Sequence, residues 1–402
     1  MHTSAPFREL HIYFRYIWDH ISIRLHSRAL SSAYAIHWDP HRYSWSAQLP
    51  HQSTDSFSVL AASLRYVLSV LSGPSSLHTL SLSYLNVEPA HQKLILSIRT
   101  LRVLKLNWTS FTPTSMEMPR SPITALWLDH SPQALTKHFL VLLASSLETL
   151  RLGWGSEERY EALTGIPFPR LKFFEEPRWI GPTVHNHLIA CSSITTLIIR
   201  FPSHPPVPPT ILPNLTHLTS PYLVAKELIP GRPVRTYHML YVPSLAYVTA
   251  PLEEIALLAQ RVEELQLLVD PPLAKVVKLL AVHLPNLVRV RIIMMDELEH
   301  PPPREGLCSP QAGAESKHVH SSLREADIGF YKARGQSFPC EDCLEVLRML
   351  TETCLVLEIV RFGELFPVDG GGIDERNVSL DWLMDMRRSA EGEWKERKWS
   401  MS

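Results

Sequence analysis

Glycine is scarce in this chain, at 15 of 402 residues, about 4% against a usual ~7%. Few glycines mean few loops in which backbone closes on a phosphate. No segment reads as Gly-x4-Gly-Lys-Ser/Thr, as a strand followed by Gly-x-Gly-x-x-Gly, or as Gly-x-Ser-x-Gly, so three large enzyme classes lose their usual signal. An excess of one charge is missing too: 39 Lys+Arg stand against 40 Asp+Glu, a net charge of −1. That balance argues against a dedicated nucleic-acid binder, which shows a basic excess. The longest uncharged stretch, Arg200 to Lys226, holds Pro202, Pro205, Pro206, Pro208, Pro209, Pro213 and Pro221, which would break a membrane helix; no membrane partner is expected. Met1 to Glu9 lack the basic cluster and apolar run of a signal peptide. The five cysteines, at 191, 308, 340, 343 and 354, read as reduced thiols of a cytoplasmic or nuclear protein, not as a disulfide frame. Without secretion, the sequons at Asn107, Asn214 and Asn377 carry no meaning.

What is present is a repeat. Apolar residues make up 45% of the chain, which excludes a mainly disordered polymer. One pattern returns: an apolar residue, two variable ones, an apolar, one variable, another apolar. It reads Leu77-Leu80-Leu82, Leu101-Leu104-Leu106, Ile123-Leu126-Leu128, Leu147-Leu150-Leu152 and Ile194-Leu197-Ile199. Further copies are Val262-Leu265-Leu267, Leu287-Val290-Ile292 and Leu357-Val360-Phe362, with weaker ones starting at Leu171, Leu215, Leu245 and Leu323. Starts at 77, 101, 123, 147, 171, 194 and 215 give steps of 24, 22, 24, 24, 23 and 21, inside the leucine-rich-repeat range of about 20 to 29.

Helical spacing precedes several copies. Phe57, Leu60, Leu64, Val67, Leu68 and Leu71 lead into Leu77, and Leu135, Phe139, Leu142 and Leu143 into Leu147. Leu273, Val276, Val277 and Leu280 lead into Leu287, and Leu344, Leu347 and Leu350 into Leu357. Each unit is helix then strand. Steps this regular favour an α/β irregular leucine-rich-repeat solenoid, parallel strands on a concave face and helices on a convex one, over a doubly wound sheet with longer βαβ units. The usual Asn or Cys position holds Leu85, Thr109, Gly155, Pro202 and Met295, so no asparagine ladder is expected. Between 201 and 251 prolines are expected to replace helices by extended segments.

The organisation expected is residues 1–56 as a capping or divergent segment, 57–366 as the solenoid with a flexible insertion at 296–322, and 367–402 as a linker and short helical tail. Leu380, Leu383, Met384 and Arg387 are spaced for that tail helix, and Phe7, Leu10, Ile17, Ile21 and Leu25 for one helix near the start.

The one local motif with metal or redox character is Cys340-Glu341-Asp342-Cys343, with Cys308, His318, His320 and Cys354 as other candidates. Its spacing fits no standard finger, there is no second Cys-x-x-Cys, and Leu344, Leu347 and Leu350 continue a helix directly from it. A metal-binding or enzymatic protein using Cys340 and Cys343 is kept as the alternative reading. The 20 His, His130, His185, His187 and His217 among them, imply no nucleophile partner, and Glu253-Glu254 and Glu263-Glu264 read as solvated faces. No catalytic residue and no cofactor is assigned.

Strand alternation predicts a surface. If the first, fourth and sixth pattern positions are core, the third, fifth and seventh face outward on the concave side. These are Lys105, Asn107, Trp127, Asp129, Arg151, Arg200, Glu264, Gln266, Arg289, Arg291 and Arg361, with Trp108 and Trp154 at strand exits. Tryptophan and arginine on a rigid sheet are the residue types that anchor protein partners.

Leu212-Pro213-Asn214-Leu215 and Gly231-Arg232-Pro233-Val234, set within the irregular repeat array, resemble the repeat region of the fungal, mushroom-type, F-box/leucine-rich-repeat protein group; the resemblance covers about residues 57 to 366. It implies repeats that hold a protein substrate for ubiquitin transfer, and an F-box that docks on the linker subunit of a cullin-RING ligase. Residues 1–56 carry no recognisable Leu-Pro-x-Glu start or three-helix pattern. Partner binding carries over from the resemblance, and the ligase connection only as far as a divergent F-box exists.

Overall fold

The computed structural model describes residues 9–13, 35–39, 65, 68–69, 77–83, 86–107, 109–111, 122–129, 140–153, 163, 165–176, 191–199, 210–240, 261–269, 276–277, 280, 283–284, 286–294, 322–331, 340–354, 356–367, 378–389 and 391–396. The chain divides into two compact units, residues 1–198 with 203–205, and 199–202 with 206–402. The division falls at the proline-rich run.

The first unit is a parallel sheet built in chain order. Its strands are β1 (Glu9–Tyr13), β2 (Ala35–Asp39), β3 (Thr79–Ser83), β5 (Val103–Asn107), β7 (Ala125–Asp129), β8 (Thr149–Leu152), β9 (Phe173–Glu176) and β10 (Thr196–Ile199). The short β4 (Asn86–Val87) and β6 (Ser110–Phe111) pair beside it. Helix α1 (Pro89–Ser97) joins β4 to β5. Strand order never reverses in this unit, unlike the doubly wound fold with its switch point.

Alternation sets the two faces. Leu80, Leu82, Leu104, Leu106, Leu126, Leu128, Leu150 and Leu152 are buried on one face, and the residues between them are half-exposed on the other. Each buried leucine is worth roughly 1.5–3 kcal/mol of apolar transfer. Ahead of each strand a carbonyl accepts two successive N–H groups from the next one: His78 from Arg102 and Val103, Arg102 from Thr124 and Ala125, Thr124 from Glu148 and Thr149, Glu148 from Lys172 and Phe173. A hydroxyl ladder supplements this. Ser146 donates to Ile123 O at 2.9 Å and Ser193 to Leu171 O at 2.8 Å, each reaching the first pattern position of the preceding unit. Thr109, at the usual asparagine position, donates to Leu82 O at 3.0 Å.

The second unit contains β11 (His217–Ser220), β12 (Thr236–Met239), β13 (Glu264–Val269), β14 (Arg289–Met294), β15 (Glu325–Tyr331) and β16 (Ile359–Pro367), parallel and again in chain order. Then β17 (Val378–Arg388) and β18 (Trp394–Glu396) turn back antiparallel. Helix α2 (Tyr222–Leu228) links β11 to β12, and α3 (Cys340–Thr353) lies between β15 and β16. The same hydroxyl contact recurs, Ser322 donating to Leu287 O at 3.0 Å.

Several sequence expectations need correction. The tail residues Leu380, Leu383, Met384 and Arg387 lie in strand β17, not in a helix. Val378, Leu380, Trp382, Met384 and Met386 recur at every second position, the strand period. Leu383, the extra residue at a bulge opposite Phe362 and Gly363 where Met384 and Trp382 pair, adds the competing helical spacing. Leu10, placed in a helix, belongs to β1, whose register runs Leu10, Ile36, Leu80 and Ile12, Trp38, Leu82 across β1, β2 and β3. The proline-rich region is not devoid of helix. Pro221 stands immediately ahead of α2, where a missing N–H costs nothing, and no proline interrupts 222–229. The repeat copy expected at Leu245 and the insertion up to residue 321 lie outside the described residues. The sequence reading passed over Val234-Tyr237-Met239, whose strand is β12; Tyr237 stands where leucine would, fully buried, its hydroxyl donating to Ser220 O at 3.2 Å.

Candidate functional site

The open face of each sheet carries the candidate residues. In the first unit the Cα register aligns Ser81, Lys105, Trp127, Arg151 and Glu175 across five strands. Trp127 is flanked by two cations, Lys105 Nζ 3.9 Å and Arg151 Cζ 4.2 Å from its ring centroid. Arg151 also lies 4.8 Å from the Phe173 centroid, and its Nε is 3.4 Å from Glu175 Oε2. Stacking holds the guanidinium and the indole in fixed orientations. Beside this row run Asn107 and Asp129 in register, the Asp129 carboxylate occupying the space a Cβ at Gly153 would need.

In the second unit the row is Gln266, Arg291, Asp327, Arg361 and Asp385, with Glu264, Arg289 and Glu325 beside it. Its charges alternate across strands. Arg289 donates to Glu325 Oε2 from Nη2 at 2.6 Å and Nε at 3.1 Å, and lies 3.7 Å from Glu264 Oε1. Arg361 Nη1 reaches Asp327 Oδ1 at 2.9 Å and Glu325 Oε2 at 3.4 Å, and Arg291 Nη2 meets Asp327 Oδ2 at 3.2 Å. Arg387 Nη2 pairs with the fully buried Asp385 at 3.4 Å. Burial pushes the Glu325 carboxyl up, but the hydrogen bond and charge of Arg289, joined by Arg361, outweigh it and hold the group below the usual carboxylate range. His238, in register with Gln266, is lowered chiefly by burial; Glu264 opposes that, while Arg291 and His217 add to it.

Of the residues expected on this surface, Lys105, Asn107, Trp127, Asp129, Arg151, Glu264, Arg289, Arg291 and Arg361 are half-exposed on the open faces, and Gln266 lies nearly covered among them. Trp108, Trp154 and Arg200 lie outside the described residues. The sequence reading missed Phe173, Glu175, Glu325, Asp327 and Asp385. Applying the same offsets to the weak copies at Leu171 and Leu323 finds the first four; Asp385 needed the β17 register.

Cys354, a metal candidate by sequence, is a core residue. The first pattern residue of many units donates its N–H to the carbonyl three residues earlier: Leu101 to Ile98, Leu171 to Phe168, Ile194 to Cys191, Leu215 to Leu212, Leu287 to Leu284 and Leu357 to Cys354. All six acceptors are buried. Burial pushes the Cys191 thiol up to about 11 and that of Cys354 to about 12. Cys340 and Cys343 fall in the first turn of α3, and Cys308, His318 and His320 lie outside the described residues. Among the described residues no group of three or more His, Cys, Asp or Glu is arranged to hold a metal ion, and no helix is long and apolar enough to cross a membrane.

Within the Gly231-Arg232-Pro233-Val234 stretch, Gly231 takes φ 72° and Arg232 is buried. Its guanidinium donates to the Ile211 carbonyl at 2.7 Å and to those of Glu227 and Leu228 at 3.0 Å and Pro230 at 3.3 Å. It therefore closes the C-terminal end of α2, satisfying carbonyls that the helix leaves open.

No protein-family model matches the chain. No curated protein matches it in sequence.

Proposed function

We propose that this chain is a non-catalytic protein-recognition module, an irregular leucine-rich-repeat solenoid whose open sheet face binds another protein. The observation that carries the reading is the contrast between the faces within each unit: buried leucine, isoleucine and valine on one, and on the other a held row of Lys105, Trp127 and Arg151 in the first unit and paired arginines in the second. The monotonic strand order, the recurring carbonyl acceptors and the serine hydroxyls support a stacked repeat. Rigid tryptophan and arginine side chains lose little entropy on binding, which suits them as anchors, with the surrounding ion pairs setting specificity.

The likeness of Leu212–Leu215 and Gly231–Val234 to the fungal F-box/leucine-rich-repeat group extends the proposal to a substrate receptor of a cullin-RING ubiquitin ligase, working in the cytoplasm or nucleus. Neither Cys191 nor Cys354 forms a disulfide, in keeping with that compartment. Affinity capture of the tagged chain from its own cells, followed by mass spectrometry, tests the ligase part. Recovery of the linker subunit and cullin with a substrate is expected. Recovery of other proteins without them would leave a recognition module outside the ligase.

A further inference from the structure

The recognition face proposed above has, in the second unit, a layered charge arrangement that bears on the class of its partner. Asp385, Asp327 and Glu325 are 0%, 2% and 25% exposed, whereas Arg289, Arg291 and Arg387 are 41%, 43% and 44% exposed. Side-chain length favours this layering, since carboxylates on short stems stay near the sheet and arginine stems carry their charge outward; Glu264, 38% exposed, and Arg361, 19% exposed, depart from it. Glu264, Glu325, Asp327 and Asp385 balance Arg289, Arg291, Arg361 and Arg387. The field at a distance is therefore small, and a group at contact distance meets guanidinium first.

Two of these arginines keep unused donors among the described residues. Arg291 donates only from Nη2 to Asp327, and its shielded Nε has no partner. Arg387 donates only to Asp385. A guanidinium carries five N–H donors, and one whose plane is already held by a carboxylate offers the rest with little rotamer freedom left to lose. In the strand order β14 and β17 are separated by β15 and β16, about 14 Å at the usual strand spacing, and Arg387 lies two residues along β17 from the Arg291 row, so the span is about 16 Å, which an extended peptide crosses in about four to five residues.

Building on the recognition face proposed above, we propose that this part of it takes an acidic segment of the partner protein, one Asp or Glu carboxylate accepting from Arg291 and a second, about four residues along, from Arg387. The carboxylates beneath the arginines cancel their charge at long range, so nucleic acid and other polyanions gain little while a fitted acidic peptide gains charge-assisted hydrogen bonds.

The test is fluorescence anisotropy of the full chain with three fluorescein-labelled dodecapeptides, identical except for Glu, Gln or Lys at positions i, i+4 and i+8. The Glu peptide is expected to bind, to weaken at least ~10-fold between about 50 and about 300 mM NaCl, and to lose at least ~10-fold in Arg291→Gln. That variant keeps its thermal midpoint, because Asp327 retains Arg361 at 2.9 Å. Arg387→Gln is the second variant, and its midpoint is read alongside because the substitution strands the buried Asp385. No binding of the Glu peptide, or unchanged affinity in Arg291→Gln, overturns the proposal. Equal or better binding of the Gln or Lys peptide that still depends on the face would overturn the acidic class and leave the recognition face standing.

Discussion

Arg151 serves two neighbours at once: its guanidinium carbon lies 4.2 Å from the Trp127 centroid while its Nε faces Glu175 Oε2 at 3.4 Å. Glu175 is nearly buried, so this arginine both presents the indole and neutralises a covered carboxylate.

Trp127 is the better probe of the two. Trp127→Ala removes two cation–π contacts and is expected to lower stability by about 1–2 kcal/mol, read from urea unfolding, with Trp127→Phe losing less. Arg151→Ala should lose more, because it removes a cation–π contact and also the ion pair to the nearly buried Glu175. An Arg151→Ala variant more stable than Trp127→Ala would show that the ion pair contributes nothing.

Arg232 should behave as a structural keystone. Arg232→Ala leaves the Ile211, Glu227, Leu228 and Pro230 carbonyls without their donor, an expected loss of about 3 kcal/mol or more. Lysine cannot reproduce the fork, so Arg232→Lys is expected to rescue little. Denaturant midpoints of both variants check this.

The core thiols should be inert. With their thiols raised to about 11 and about 12, Cys191 and Cys354 stay protonated and covered at pH 8. Mass-spectrometric mapping after iodoacetamide treatment should leave both unmodified in the folded chain and alkylate both in urea. Modification of folded Cys354 would contradict its core assignment.

His238 makes stability pH-dependent with a definite sign. Its folded pKa is lowered from an ordinary value of about 6.5, so its contribution is complete above that value and is lost as pH falls towards the folded pKa. Between about pH 7 and 5 the native chain should lose stability more steeply than His238→Gln. Parallel pH profiles of the two would assign the slope to other groups.

The buried half of the fold was legible because the pattern of one apolar residue in three, then two, fixes which side chains face inward: Leu104, Leu126 and Leu150 fall where the alternation puts them. The outward neighbours followed from the same rule. What escaped were features set by register between distant strands. Arg289 meets Glu325 and Arg361 meets Asp327 only after about 35 residues of intervening chain are folded away, and no local spacing encodes that. Strand β17 escaped because Leu383, the extra residue at its bulge, completes a helical spacing with Leu380, Met384 and Arg387, and β12 because Tyr237 took a leucine's place. The arginine in the Gly231–Val234 stretch was visible as a motif, but its helix-closing role needed the positions of four carbonyls.

The open sheet face is proposed to bind a protein. A photo-crosslinking residue placed at Ser81, in the row with Lys105 and Trp127, tests it against one at Val141, exposed in the helical turn ahead of β8. A discrete crosslinked protein is expected in the chain's own cells from Ser81, lost on Trp127→Ala and absent from Val141. Crosslinking from Val141 alone, or from Ser81 regardless of Trp127, would contradict it.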